Sequence, residues 1–361
     1  MEKLKIGNLI AKYPIVQGGM GVGISRSGLA VAVANQGGIG VISAAGLGLF
    51  HLKEIKDYKE ASIYGLKQEI NKAKQKTKGI IGVNIMVALT NFSDMVKTAI
   101  DEQADVIFSG AGLPLDLPSY LGQGDKTKLV PIVSSARATK IICEKWIGKY
   151  DYVPDAIVVE GPKAGGHLWY KLNQLDDKAF SLEENLPNVV EEVKRWREKT
   201  SRDIPIIAAG GIYSGEDMYK IMKEGADAVQ LATRFVTTNE CDASIEFKNS
   251  YINAKKEDII IIKSPVGMPG RAIKNKFLES VARGEKCPKQ CVHHCIKTCD
   301  NVNSPYCIMI ALINAYYGNL DKGFCFAGSN AYKAKEIISV EDTFNALIKE
   351  YEDYENSLTN L

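Results

Sequence analysis

Eight short apolar runs, rich in β-branched residues, punctuate the first two thirds of the chain. They are Pro14–Gln17, Gly40–Ser43, Ile80–Met86, Asp105–Ser109, Val130–Ser134, Asp155–Glu160, Ile204–Ala209 and Ala226–Leu231. Each has the length of a strand buried on both faces and is too short for a buried helix. Helical segments lie between most of them: Ser25–Asn35, Leu52–Lys76, Asn91–Glu102, Arg137–Lys149, Leu182–Lys199 and Ser214–Glu224. Ser214 followed by Asp217 reads as a helix N-cap. Such alternation leaves two architectures, an open doubly wound sheet or a closed (β/α)8 barrel. Eight units over about 240 residues match the usual barrel length of about 250. The stretch Gly18-Gly-Met-Gly-Val-Gly23 does not spell the G-x-G-x-x-G dinucleotide fingerprint, which weighs against the open sheet. The expected fold is therefore an α/β, (β/α)8 TIM barrel with a C-terminal helical appendage.

The alternation stops near Asn239. Beyond it, Glu257–Arg271 contains Ser264-Pro-Val-Gly-Met-Pro-Gly270, which reads as a loop, and Lys274–Asp300 reads as a charged, Cys-rich helix. Ile308–Tyr317 and Glu341–Glu352 read as two further helices. The expected division is a barrel over 1–239, a helical, Cys-rich cap over 240–324, and a segment over 325–361 whose helix returns to the barrel.

The charge balance excludes several classes. The net charge of +2, from 45 Lys and Arg against 43 Asp and Glu, suits neither a basic nucleic-acid binder nor an acidic disordered chain. No run approaches the roughly 18 apolar residues of a membrane span. Met1-Glu-Lys-Leu-Lys5 opens no signal peptide, and eight Cys are too few for a disulfide scaffold. The expectation is a cytoplasmic protein with reduced thiols.

Residues with chemical potential gather at the ends of the apolar runs. In a barrel these ends open on one face, where active sites form. After the seventh and eighth runs stand Gly210-Gly211 and Gln230-Leu-Ala232-Thr233. Glycines there let backbone N–H groups approach an anion, and Thr233 adds a hydroxyl. After the sixth comes Glu160-Gly-Pro-Lys-Ala164-Gly165-Gly166-His167. A glycine-rich loop ending in an imidazole suits a flat ligand with a general base or hydrogen-bond donor over its reactive atom. Glu160, at a buried strand end, needs a partner, either His167 or a ligand. Lys163 could supply charge near that ligand. Gly18, Gly19 and Met20 follow the first run, and Met20 offers a soft surface for a ring. Asn84 places a carboxamide in an apolar run, where a heterocycle edge could satisfy it. Ser134 ends the fifth run. Trp169-Tyr170, just past His167, either wall a pocket or pack beneath a loop.

These motifs resemble the nitronate monooxygenase family, formerly the 2-nitropropane dioxygenases, along nearly the whole chain. The resemblance rests on Gln17-Gly-Gly-Met-Gly21, on Glu160 through His167, on Ala208-Ala-Gly-Gly-Ile212 and on Ala232-Thr-Arg-Phe-Val-Thr-Thr-Asn-Glu240. Pro269-Gly-Arg-Ala272 with Asn275 and Phe277 is similar to the family's post-barrel segment. Ala232 departs from the family's usual glycine, and the Cys-rich insert is not a general family feature. The resemblance implies a TIM barrel binding FMN. Its phosphate would rest on Gly210, Gly211, Ala232 and Thr233, and its ring near Gly19, Met20 and Asn84, with Gly18 also among the cofactor-binding candidates. Gln230, Ser134, Glu160, Ala164, Gly165 and Gly166 are the further cofactor-binding candidates. It implies oxidation of an alkyl nitronate by O2 to a carbonyl compound and nitrite, with His167 as the catalytic residue. His167 would hold the nitronate or remove a nitroalkane's α-proton.

The same motifs resemble FMN-dependent enoyl-ACP reductases, which use NAD(P)H and an acidic carrier protein. Residues 271–300 carry basic residues at 271, 274, 276, 283, 286, 289 and 297 against acids at 279, 285 and 300, a patch that could steer such a partner. Cys287, Cys291, Cys295 and Cys299, spaced by four, would fan over one helix face. One straight helix cannot close a four-thiolate tetrahedron, so no metal is assigned.

Overall fold

The structure, a computed structural model, describes residues 1–285, 291, 293–300 and 302–359. Along the chain run β1 (Leu4–Ile6), β2 (Leu9–Ala11), β3 (Ile15–Gln17), α1 (Ser27–Asn35), β4 (Ile39–Ser43), α2 (Tyr58–Lys76), β5 (Ile80–Met86) and α3 (Phe92–Asp101). Then come β6 (Val106–Gly110), β7 (Lys128–Val133), α4 (Ala136–Tyr150), β8 (Ile157–Glu160), β9 (Gly166–His167), α5 (Leu182–Thr200), β10 (Ile206–Ala209), α6 (Gly215–Lys223) and β11 (Ala228–Leu231). The remainder holds α7 (Thr233–Val236), α8 (Ile245–Ile252), β12 (Ile259–Lys263), β13 (Pro269–Ile273), α9 (Lys276–Ala282), α10 (Ile308–Tyr316) and α11 (Val340–Thr359).

Eight parallel strands close a barrel in the order β3-β4-β5-β6-β7-β8-β10-β11. Each corresponds to one of the eight apolar runs. The period-2 alternation of a strand sorts their side chains. Val16, Ile39, Val41, Val106, Phe108, Val130, Val158, Ile207 and Ala228 fill the interior. Their neighbours Ile15, Ile42, Ile107, Ile157, Ile206 and Val229 join the layer under the helices. The β1–β2 hairpin adds Leu4, Ile6 and Ala11 to the interior cluster and stoppers the end where the strands begin.

Several element starts differ from the sequence reading for one reason: a side chain takes the backbone's place. Asp105, Asp155 and Asp227 stand just outside β6, β8 and β11. Each accepts a hydrogen bond from a neighbouring strand, from Ile81 N at 2.8 Å, Leu129 N at 2.9 Å and Ile206 N at 2.7 Å. The helix expected from Leu52 starts at Tyr58, because Asp57 caps it through Glu60 N at 2.8 Å. At Ser214 the capping box forms as its spacing predicts.

The post-barrel chain is where the expectations fail. The stretch read as a loop, Ser264–Gly270, supplies the turn between two strands and the first residues of the second, and the sequence reading missed the strands themselves. β12 and β13 form an antiparallel hairpin, and β13 pairs with β9, so a three-stranded sheet stands beside the barrel mouth. The helix expected over Lys274–Asp300 covers only Lys276–Ala282, ending before Gly284 at φ +85°. Residues 293–300 are not helical. Their backbone is committed elsewhere: Cys295 O accepts from Thr90 N at 3.2 Å, Lys297 N donates to Ala88 O at 2.9 Å, and Ile296 bridges Leu89. The single thiol-bearing face therefore does not exist among the described residues, and Cys287 lies outside them. No three His, Cys, Asp or Glu among the described residues are arranged to hold a metal.

Downstream, α11 packs on the helical layer. Glu350 Oε2 accepts from Gly215 N at 2.7 Å, and a side chain at Gly215 would strike the α11 backbone. Among the described residues no helix is long and apolar enough to cross a membrane.

Candidate active site

A cavity of about 260 Å3 opens where the barrel strands end. The alternation that fills the barrel carries polar residues into its uppermost layer. Two positions beyond Val158 stands Glu160, and two beyond Ala228 stands Gln230. Both flank Ala209 at the same register. Asn84 follows Gly82 in the same way. All three side chains line the cavity, and among the described residues none of them meets a hydrogen-bond partner. Half-buried amide and carboxyl groups turned into a cavity without a protein partner mark a place where a ligand can complete the bonding.

The cavity brings together almost every residue singled out in the sequence. Gly18, Gly19, Met20, Asn84, Glu160, Ala164, Gly165, Gly166, His167, Gly210, Gly211, Gln230, Ala232 and Thr233 all line it. Ser134 does not. Its carbonyl instead accepts from the Tyr170 hydroxyl at 3.3 Å, while the same hydroxyl donates to Glu160 O at 2.8 Å. Tyr170 therefore packs beneath the loop, and its neighbour Trp169 walls the cavity.

After β10 and β11 the backbone itself forms a cradle. Gly210 and Gly211 have φ of +94° and +91°, where a Cβ is strained, and a Cβ on Gly210 would also lie 2.8 Å from Gly161 O. Gly328 closes the cradle from the C-terminal segment, and a Cβ there would lie 2.8 Å from Thr233 Oγ1. The N–H groups of Gly210, Gly211 and Gly328 have no acceptor among the described residues. Nearby, Ser329 Oγ is buried and has no partner among the described residues. Converging N–H and hydroxyl donors with close backbone approach suit a phosphate group. Lys163 lies across Gly211, its ammonium 3.4 Å from Glu183.

His167 faces this cavity from the opposite layer. It belongs to β9, paired with Gly270 of β13. Its Nε2 lies 2.6 Å from Ser264 Oγ, and its ring meets Phe326 edge-on at 4.9 Å. Nδ1 has no partner among the described residues. Burial pushes its pKa down to about 4, so the imidazole is neutral at physiological pH. Burial also pushes the Glu160 carboxyl up to about 7. Glu160 does not orient His167, since Ser264 does.

The loop carrying His167 is fastened by Arg271, whose guanidinium donates to Pro162 O at 2.7 Å and Ala164 O at 2.5 Å. Arg271 is buried and so forms no part of a basic surface. Of the other basic residues in that stretch, Lys274 pairs with Glu279 at 3.2 Å and Arg283 with Glu285 at 2.8 Å. Lys297 donates to Val87 O. Lys286 and Lys289 lie outside the described residues. Of the described basic residues in this stretch, Arg271 is thus a buried strut, and Lys274 and Arg283 stand in exposed ion pairs.

Sequence reasoning missed Ser264, Phe326, Gly328 and the wall supplied by α10. Ser264 was visible only as the start of a Pro- and Gly-rich stretch. Gly328-Ser-Asn330 was legible as a turn and nothing more. Their contacts with the site arise from pairing across long sequence separations.

Comparisons with known proteins bear on the family and the fold. The family model described as nitronate monooxygenase matches residues 2–350. A probable nitronate monooxygenase of Staphylococcus aureus (strain Newman) is 28% identical over 316 residues, covering 77% of this chain and 79% of that protein. Among solved structures, FabK from Thermotoga maritima superposes with a TM-score of 0.73 at 25% identity, covering 97% of this chain and 96% of that one. Nitroalkane oxidase from Streptomyces ansochromogenes shares the fold, with a TM-score of 0.73 at 22% identity over 96% of this chain and 98% of that one. The chain belongs to the nitronate monooxygenase family, and it is an oxidoreductase.

Proposed function

We propose that the protein binds FMN and oxidises alkyl nitronates with O2, giving a carbonyl compound and nitrite. The observation that carries this reading is the neutral His167 facing one cavity with a glycine cradle and three uncommitted polar side chains. The donor set fits the cofactor. Gly210, Gly211, Ala232, Thr233 and Gly328 would hold its phosphate. Gly18, Gly19, Met20, Asn84 and Gln230 would hold its ring, with Glu160 and the Ala164–Gly166 backbone beside it. Gly19 must lack a side chain here, because a Cβ would overlap Asn84. When bound, FMN supplies the electron transfer between substrate and O2.

The chain's own contribution is orientation and charge. A nitronate arrives already deprotonated, so no strong base is needed. An imidazole with a pKa near 4 is a poor base for a neutral nitroalkane. It is well suited to donate a hydrogen bond to a nitronate oxygen, and the bound anion in turn favours its charged form. Ser264 fixes the ring plane, and Phe326 keeps water from its edge. With Arg271 buried and Lys274 and Arg283 in ion pairs, the acidic-carrier reading draws less support from this stretch. A cytoplasmic location belongs to the same proposal.

Anaerobic mixing with a nitronate, and separately with NADH and NADPH, tests this. The FMN-loaded protein is expected to bleach with the nitronate, to stay oxidised with either nucleotide, and to release nitrite once O2 is admitted. A protein that takes up no FMN overturns the reading. Fast bleaching by NADPH with no response to nitronate replaces it with a nicotinamide-dependent reductase.

A further inference from the structure

Five of the chain's eight cysteines stand between residues 287 and 307. Cys287 lies outside the described residues, and Cys291, Cys295, Cys299 and Cys307 lie within them. The fold gathers these four although no single helix carries them. Thr90 N donates to Cys295 O and Lys297 N to Ala88 O, which pins the segment to the loop after β5. The segment then turns back, with Cys299 N donating to Ile296 O at 3.3 Å. The chain returns at Cys307, the N-cap of α10. Burial pushes the Cys295 thiol up to about 12, and the charges of Cys307, Cys291 and Cys299 push it the same way. The buried Tyr58 hydroxyl, at the first turn of α2, is raised by burial and then by Cys295 and Cys307. The sulfurs therefore share one neighbourhood.

Cysteine packs well as a small apolar residue, and Cys143 in α4 does so. That role does not account for this group, because Cys291, Cys299 and Cys307 are only half-buried. Nor does a single ion, because no three of the four stand where one metal could bond them all. A tetrahedral zinc needs every sulfur about 2.3 Å from one centre. An iron–sulfur cluster has a wider reach, since its thiolates sit on its outer corners and bond to different irons. Bonding to iron also releases the proton that burial holds on Cys295.

We propose that Cys291, Cys295, Cys299 and Cys307 hold an iron–sulfur cluster of the four-cysteine class. Cys295 and Cys307 each precede a residue of the cavity lining, Ile296 and Ile308, so the cluster stands behind that side of the cavity. The site is independent of the reaction proposed for the cavity.

The test is anaerobic preparation of the full chain, followed by reconstitution with ferric citrate, sodium sulfide and dithiothreitol. After desalting, the protein should retain iron and acid-labile sulfide in equal amounts, and dithionite should generate a paramagnetic resonance signal. Cys307→Ser and Cys291→Ser should each lose most of the iron and the signal, whereas Cys143→Ala should keep both. If Cys307→Ser does not fold, Cys291→Ser decides, because its side chain is half-buried. A protein that retains no iron, or iron without sulfide, overturns the proposal. Zinc bound in place of iron also overturns it and marks a single-ion site. A disulfide between any two of the four in the air-free preparation does the same. Equal iron in the wild type and the two serine variants marks adventitious binding and overturns it as well.

Discussion

At the end where the barrel strands begin, Asp105, Asp155 and Asp227 each accept the N–H of a neighbouring strand. Lys128 stands 3.7 Å from Asp155, and Arg197 stands 3.0 Å from Asp227. At the end where they finish, Asn84, Glu160 and Gln230 meet no donor or acceptor among the described residues, and the cradle N–H groups stand open. The same eight strands build both ends. One end is bonded internally and stoppered by the β1–β2 hairpin, so it contributes to stability. The other is left unsatisfied, which costs stability and creates a place for a ligand. Carboxyls at the two barrel ends thus do opposite work according to whether the fold supplies them with a donor.

That contrast can be broken by substitution. The largest effect is expected at the open end. His167→Ala should lower kcat/KM for a nitronate by about a hundredfold or more, with the melting temperature nearly unchanged. Nitrite release and thermal denaturation of the same preparation check both halves. At the closed end the pattern should invert. Asp155→Ala removes the acceptor of Leu129 N and the partner of Tyr152 and Lys128, at a cost of about 1–3 kcal/mol. Its melting temperature should fall by several degrees, while turnover per folded molecule stays at the wild-type level.

The smallest effect sharpens the comparison through pH. The Glu160 carboxyl has a pKa raised from 4.5 to about 7 by burial. The folded state therefore holds a proton that the unfolded state has released between those values. Stability present below pH 4.5 is lost as pH rises through 7. His167 acts in the other direction: with a pKa lowered from 6.5 to about 4, it costs stability as pH falls through that window. Comparing flavin-free wild type with Glu160→Gln isolates the carboxyl. The variant should melt higher at pH 8 and gain little at pH 5. A constant difference across that range would mean that Glu160 finds a partner when the site is empty.

The barrel was legible because its signal is local. Runs such as Ile80–Met86 and Ile204–Ala209 are apolar throughout, and burial on both faces demands nothing else. The strand ends were displaced by a residue or two wherever an aspartate side chain stood in for the ladder. The post-barrel chain was less legible. Ile259–Lys263 is as apolar as any barrel strand, yet its sheet depends on β9, a two-residue strand made of Gly166 and His167. No periodicity shows in two residues. The cysteine repeat failed for a related reason: spacing by four permits a helix, but the backbone around Cys295 bonds instead to the loop after β5.

By itself the sequence determined the closed barrel, the end of it that opens, and nearly every residue that meets there, including His167. Those follow from strand length, period-2 alternation and the fixed polarity of parallel strands, all of which are properties of short segments. Only the tertiary structure decided which of these residues are satisfied. It gave His167 to Ser264 rather than to Glu160, turned Arg271 inward as a strut, and set α10 as an apolar wall across from the cradle. Hydrogen-bond partners and charge environments are made by groups distant in the chain, and their free energies depend on the distances that packing sets.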